Sequence, residues 1–542
     1  MRAKATRYCL RFAGIAALAF LAAACSRPTP PEPRSGPLLL ISIDGARHDY
    51  LDLAETPALD RLAQGGLRAD SLHHVFPTKT FPTHYSIVTG RHPGTHGVVA
   101  NNMWDPLRNA RFSLGNREAV MNGYWYEGGE PIWVTAEKQG LTAAAFFWPG
   151  TEARIHRVRP SFWKPYNGRI PYEERVQQVL DWLDLPIGER PDLITMYFSS
   201  VDSAGHRDGP GSAAAAAALA DIDGHLMTLL TGLEARGLLE TAHILITSDH
   251  GMSRVDLDQY ILLDDYLDLS SLRVSDWGPA GQIWAGETSA ASIQAALDGA
   301  HPRMRAWLRE DIPDRFHFGS HHRVPDVLAL GDLEWMISNT PYMIGRTQFS
   351  LMGMHGWDPA LFEMHGLFIA HGPAFAPGGQ APSLRSIDLY ALMTSLLAIE
   401  PAWHEGSLQA LEPYLHRQVG QRYESLDLHC PDQALAQAIL GPEHMALHWG
   451  PNAHVLLRQA TEEGEKGQVF KATSLEFRLV GETAQVHIDG QDHGPCRVSS
   501  PRNEEALSAD PASVTAPIHS VVPRGGASRP HAGREGHDAS SG

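Results

Sequence analysis

Three short apolar runs each lead to an acid, and that repetition constrains the fold more than any other feature of the chain. Leu38 to Ile43, broken only by Ser42, stops at Asp44-Gly45. Leu193 to Phe198 is followed after a short loop by Asp202, and His243 to Thr247 runs into Asp249-His250-Gly251. Runs of this kind, without polar alternation, mark strands covered on both faces, as in a parallel sheet. Helical patterns lie between them, at Pro57 to Gly65, Pro171 to Leu183 and the Ala-rich Ser212 to Leu239. Strands alternating with helices predict an α/β sandwich around a largely parallel sheet, and such sheets hold ligands outside the carboxyl ends of their strands. The acids are therefore expected at one edge.

At 542 residues the chain is too long for one average domain. The α/β character runs to about Leu415. Beyond Arg422, short alternating segments (Met445 to His448, Ala453 to Leu457, Ser474 to Val480, Thr483 to Ile488) are separated by turn residues, which predicts a small antiparallel β domain. Ser499 to Gly542 is rich in Ser, Pro, Gly, Arg and His and is expected to be disordered. At the other end, Arg2, Lys4, Arg7 and Arg11 precede an apolar run, Phe12 to Ala24, too short to span a bilayer comfortably. This reads as a signal peptide. Leu21-Ala22-Ala23-Ala24-Cys25 resembles a bacterial lipoprotein cleavage box with Cys25 lipidated, although Ala22 stands where Leu is usual; an ordinary signal-peptidase cut is the alternative. Arg27 to Pro37 would be a Pro-rich tether. The expected divisions are 1–25 signal, 26–37 linker, 38–420 catalytic domain, 425–498 β domain and 499–542 tail. Cys430 and Cys496 remain as an even pair in an exported chain, so one disulfide is expected.

The formal net charge of -18 argues against a nucleic-acid-binding face, which would be basic. It does not exclude a small phosphate substrate, because bound cations reverse the local field. Candidate cation ligands are Asp44, Asp202 with His206, Asp249 with His250, and His355. Oxygen and nitrogen donors suit zinc where no cysteine is at hand. Asp44, Asp249 and His250 would hold one ion with the Thr80 hydroxyl; Asp202, His206 and His355 would hold a second with an open position. Thr80 sits in Phe76-Pro77-Thr78-Lys79-Thr80-Phe81-Pro82-Thr83-His84-Tyr85, before an apolar helical segment. A helix start offers free amides and a positive dipole end to a phosphate. Metal coordination would make its hydroxyl a competent nucleophile. His321, His322 and His371 read as surface residues.

These residues carry a resemblance to the nucleotide pyrophosphatase/phosphodiesterase family of the alkaline phosphatase superfamily, over Asp44 to about Leu397. The matching stretches include Ile43-Asp44-Gly45, Phe76 to Tyr85, Thr95-His96-Gly97 through Asn101-Asn102-Met103, and Phe147-Trp148-Pro149-Gly150. They continue with Tyr166-Asn167-Gly168, Asp202-Ser203-Ala204-Gly205-His206, Ser248 to Met252 and Gly353 to Asp358. The resemblance implies an alkaline-phosphatase-like sandwich, two Zn2+ ions, and a nucleotide substrate cut through a covalent Thr80 intermediate to release a nucleoside monophosphate. It further implies that Asn101 binds a phosphate oxygen and that Phe81 and Tyr166 clamp the base. Val201 and Thr83 depart from the family's usual Pro and Asn. A phosphomonoesterase or a lipid phosphodiesterase of the same superfamily is the alternative. Leu426 to Cys496 resembles the small periplasmic β-barrel that inhibits C-type lysozyme, which names lysozyme as a partner. The Ser-rich inhibitory loop is replaced by Thr461 to Gly467, which favours a stabilising or docking module. The expected location is a bacterial periplasm or, through a lipid, the outer membrane.

Overall fold

A computed structural model describes residues 36–344, 352–416 and, short turns apart, 424–499. The signal segment with Cys25, most of the tether, most of the loop at 461–467 and the tail from 500 lie outside the described residues.

The central sheet has eight strands: β1 (Leu38–Ile43), β2 (Leu67–Ala69), β3 (Ala143–Phe146), β4 (Phe162–Trp163), β5 (Leu193–Phe198), β6 (His243–Thr247), β7 (Phe368–His371) and β8 (Gly379–Ala381). Their order is β8-β2-β7-β6-β1-β5-β3-β4. β7 runs antiparallel to both neighbours and every other adjacent pair is parallel. The unbroken apolar run of β1 follows from its place at the centre. Leu39, Ile41 and Ile43 enter the core on one face, while Leu38 and Leu40 enter the core on the other. Each fully buried aliphatic side chain contributes about 1.5–3 kcal/mol of transfer free energy.

The helices α1 (Pro57–Gln64), α2 (Thr80–Thr89), α3 (Tyr172–Leu183), α4 (Ser200–Asp208) and α5 (Ala213–Ala235) cover the sheet. Pro57 opens α1, and the free amides of Ala58 and Leu59 donate to the Asp223 carboxylate of α5 at 3.0 and 2.9 Å. One buried acid thus caps one helix and locks it to another. β1, β5, β6 and α1, α3, α5 agree with the sequence expectation to within a few residues at their ends.

One element was not foreseen. A four-stranded antiparallel sheet (Arg273–Asp276, Ala280–Trp284, Val327–Gly331, Met304–Leu308) is inserted between β6 and β7. The small antiparallel β domain expected at the C-terminal end is a closed eight-stranded barrel spanning Glu424–Cys430 to Gln491–Ser499, with each strand antiparallel to the next. Its first, second, fifth and eighth strands escaped the alternation test, and the last reaches Ser499, where a tail was expected to begin. Leu428, Met445, Leu447, Phe470, Phe477 and Val486 fill the barrel, and the Cys430–Cys496 disulfide joins its first and last strands. Closure leaves no free strand edge.

Candidate active site

Strand register brings the acids together. Ser42 pairs with Tyr197 on one side and Thr247 on the other, so β1, β5 and β6 end level, and Asp44 and Asp249 leave adjacent strands at the same height. The turn after β1 knits them: Gly45 N–H donates to Asp249 Oδ1 at 3.1 Å, and Asp202 N–H donates to the Asp44 carbonyl at 3.0 Å. Gly45 has φ +70°, and a Cβ there would lie 2.9 Å from the Asp202 backbone, so only glycine fits. Asp202 and His206 lie on α4, one turn apart, with His206 Nε2 3.2 Å from Asp202 Oδ1. His355 follows the two-residue strand Gly353–Met354 and points its Nε2 at the same oxygen from 3.8 Å.

The three histidines share one device. Nδ1 of His206, His250 and His355 lies 2.8–2.9 Å from the carbonyls of Gly353, Gly251 and Thr78 respectively. A carbonyl can only accept, so each ring carries its proton on Nδ1 and presents the Nε2 lone pair to the acids. This is the tautomer-fixing arrangement of metal-ligating histidines.

The acids are crowded and under-satisfied. Asp44 is buried and accepts one hydrogen bond, 2.5 Å from the Tyr197 hydroxyl; its other oxygen, like Asp202 Oδ1 and Asp249 Oδ2, has no hydrogen-bond partner. Burial and the negative charges of Asp249 and Asp202 push the Asp44 carboxyl well above its usual range. Against the upward push of burial, His250 and His84 hold Asp249 well below it. Donor atoms of Asp202, His206 and His355 lie within 4.8 Å of one another, as do those of Asp44, Asp202 and His250. Asp249 Oδ2 is 3.1 Å from His250 Nε2. Orphaned oxygens beside aimed imidazole nitrogens, with no thiolate, fit divalent cations of the zinc type. Asp202 reaches both groups, a sharing not anticipated from sequence.

Thr80 is the first residue of α2, its Oγ1 3.5 Å from His250 Nε2. The preceding segment is pinned to the His355 loop: Thr78 Oγ1 donates to the Trp357 carbonyl at 3.1 Å and accepts from Gly356 N–H at 3.0 Å. Asn101, on the cavity lining, accepts the Phe81 N–H at its Oδ1 at 2.9 Å. Phe81 is half-buried against Phe112, with ring centroids 5.5 Å apart. Tyr166 is 43% exposed and meets Phe147 edge-on at 5.0 Å. Thr80, Phe81, Asn101 and Tyr166 line one cavity of about 810 Å3 together with Asp44, Asp202, His206 and His355.

Other residues contribute that the sequence did not single out. Tyr197 is the hydroxyl partner of Asp44. His84 joins Ser42, the Thr80 carbonyl and Asp249, at 2.8, 2.8 and 3.3 Å. Lys79 and Asp276 form a buried ion pair on the cavity wall. His84 and Lys79 lie inside a motif already read, whereas Asp276 carries no local signal. His321, His322 and His371 are not the surface residues expected. His321 is half-buried with Nδ1 accepting the Arg323 N–H at 3.1 Å, His322 Nε2 is 3.1 Å from Asp105 Oδ2, and His371 is a half-buried residue of β7. None belongs to the donor cluster.

The family model for type I phosphodiesterase / nucleotide pyrophosphatase matches residues 38–358. The chain is 36% identical over 385 residues to human ectonucleotide pyrophosphatase/phosphodiesterase family member 5, covering 71% of this chain and 79% of that one. It is also 36% identical over 395 residues to human family member 1, covering 71% of this chain but only 42% of that protein. A venom phosphodiesterase from Macrovipera lebetinus is 36% identical over 391 residues, 70% of this chain and 45% of the venom protein. Among solved structures, murine family member 5 superposes with a TM-score of 0.67 at 34% identity, covering 70% of this chain and 100% of that one. An inactive variant of the same murine protein, solved in complex with AMP, superposes with the same TM-score of 0.67.

Proposed function

The chain belongs to the type I phosphodiesterase / nucleotide pyrophosphatase family, a family of hydrolases, and on that footing we propose that it cleaves phosphodiester or pyrophosphate bonds of nucleotides, with Thr80 as nucleophile and two zinc ions as cofactors. The carrying observation is the convergence of Asp44, Asp202, His206, Asp249, His250 and His355 beside the Thr80 hydroxyl, with Asp44, Asp202, His206 and His355 lining the same cavity as Thr80.

Asp44, Asp249 and His250 would hold one ion beside Thr80, and Asp202, His206 and His355 the other. Bound there, the cations supply Lewis-acid charge that favours the alkoxide of Thr80 and the departing oxygen. The protein's own groups do the positioning. Thr80 is held at the start of α2, where the positive end of the helix dipole favours an incoming phosphate. The Asn101 amide donates to a non-bridging oxygen, and Phe81 and Tyr166 offer aromatic faces to a base. The Thr80 oxygen attacks phosphorus, the bond to the leaving nucleotide or alcohol breaks, and water then hydrolyses the phosphothreonine to release a nucleoside monophosphate. The AMP bound by the murine relative supports the nucleotide reading.

The basic-then-apolar N-terminus and the Cys430–Cys496 disulfide support export, with Cys25 as a lipid anchor in the bacterial envelope. The division into a catalytic domain at 38–420 and a barrel at 425–498 accords with the separate barrel core. The barrel serves as a packing module: buried Gln437 donates from Nε2 to the His404 carbonyl of the catalytic region at 2.9 Å.

A substrate panel tests the reading. Zinc-loaded protein is expected to prefer a nitrophenyl nucleotide diester over nitrophenyl phosphate and over choline phosphodiesters. A preference for the monoester overturns it.

A further inference from the structure

We propose that the buried Lys79–Asp276 ion pair, braced by Asn102, sets the charge selectivity of the site by denying doubly charged phosphomonoesters a free cation, so that singly charged diesters are favoured. This rests on the hydrolase reading above and assigns its specificity to particular residues.

Lys79 directly precedes the nucleophile. Its Nζ donates to Asp276 Oδ2 and, at 3.1 Å, to the Trp277 carbonyl. Asp276 Oδ1 in turn accepts from Asn102 Nδ2 at 3.0 Å. The side chains of Lys79 and Asp276 are only 4% and 6% exposed. The lysine stem is fixed as well: it crosses Gly356, where a Cβ would lie 2.9 Å from Lys79 Cε, and Gly356 has φ +118°. The ammonium therefore cannot swing to a new partner without breaking this packing. Lys79, Asn102 and Asp276 line the same cavity as Thr80 and Asn101.

The neighbouring asparagines divide the work. Asn101 uses its oxygen on the Phe81 amide, whereas Asn102 spends its NH2 on Asp276. A lone ammonium beside the nucleophile would attract most strongly the substrate with the most negative charge, a monoester dianion. Cancelled by a carboxylate in bonding contact, it offers no net charge, and the carboxylate opposes the second negative charge. At low effective dielectric such differences are large. A diester carries one negative charge and loses little.

The test compares zinc-loaded wild type with Asp276→Asn, Lys79→Gln and the double variant Lys79→Met/Asp276→Asn. It reads kcat/KM on nitrophenyl phosphate against a nitrophenyl nucleotide diester, and the Kd of inorganic phosphate by calorimetry at pH 8. Asp276→Asn frees the ammonium and is expected to raise the monoester-to-diester ratio, and to tighten phosphate binding, by about ten-fold or more. Lys79→Gln must move both readings the opposite way, so a failure of either variant to fold leaves the other decisive. The double variant is neutral like the native pair and should return the ratio to near its wild-type value, which a merely structural role would not do. A ratio and a phosphate affinity that stay the same in Asp276→Asn and Lys79→Gln overturn the proposal. Wild type inactive on the diester would instead defeat the hydrolase reading, and phosphate binding would still decide the role of the pair.

Discussion

The two halves of the donor cluster are held in different ways. Asp44, Asp249 and His250 follow the ends of adjacent strands and are buried at 0–1% exposure. Asp202, His206 and His355 come from a helix and a two-residue strand, with side chains 19%, 23% and 4% exposed. Strand register leaves the first half no freedom to spread its charges: Asp44 and Asp249 must stand level because Ser42 pairs with Thr247. In the second half two imidazoles share one carboxylate, and His206 and His355 hold Asp202 below its usual range despite burial. A buried half that crowds like charges would gain most in stability from a bound cation. A more open half with one acid and two imidazoles suits exchange and turnover.

Thr80 stands beside the buried half, and its removal should have the largest effect of any single change. Thr80→Ala is expected to lower kcat on a nucleotide diester by roughly 10^3-fold or more while leaving zinc content near wild type. Asp249→Ala should lose comparable activity and zinc as well, because it removes a donor. Turnover assays paired with atomic absorption separate the two, and wild-type turnover in Thr80→Ala would end the nucleophile assignment.

How much of this was legible beforehand follows from burial. β1, β5 and β6 announced themselves because both faces are covered, which forces unbroken apolar runs that stop where chemistry begins. The donors Asp44, Asp202 and Asp249 were legible as the acids after those runs. Asp276 was not: its strand is four residues long, has a bulge between Val274 and Asp276, and pairs with a lysine 197 residues away. Tyr197 was counted only as a strand residue, since nothing local reveals that its hydroxyl meets Asp44 across the sheet end. The missed barrel strands fail for a related reason. Gln433–Leu440 reads QALAQAIL, a sequence of high helix propensity that tertiary closure overrides.

The contrast between the halves sharpens into a sign reversal. Asp44→Asn removes one of the crowded charges while keeping an oxygen for the Tyr197 hydroxyl. In excess chelator the variant should be more stable than wild type, by about 3 kcal/mol if the relieved charge is fully uncompensated. In saturating zinc the order should invert, because the variant has lost a donor. His206→Gln, in the open half, should show no gain in chelator. Urea unfolding under both conditions checks this, and equal behaviour of Asp44→Asn and His206→Gln would dissolve the distinction.

The smallest effect concerns the far end of β6, the strand that leads to Asp249 and His250. His243 is 4% exposed with Nε2 unpartnered, and burial, with His371 beside it, pushes its pKa down to about 4. In the unfolded chain the ring titrates near 6.5. The neutral ring is therefore fully compatible with folding above pH 6.5, and stability is lost as the pH falls from there toward 4, when the unfolded state takes up the proton and the native state does not. His243→Leu should accordingly lose about 2–3 kcal/mol less than wild type between pH 7 and 4.5, measured by urea unfolding in chelator so that zinc release does not contribute. An identical acid slope in the variant would show that the sheet does not hold this ring neutral. The acid sensitivity of the strand-held half would then have to come from the donor ends of β1 and β6.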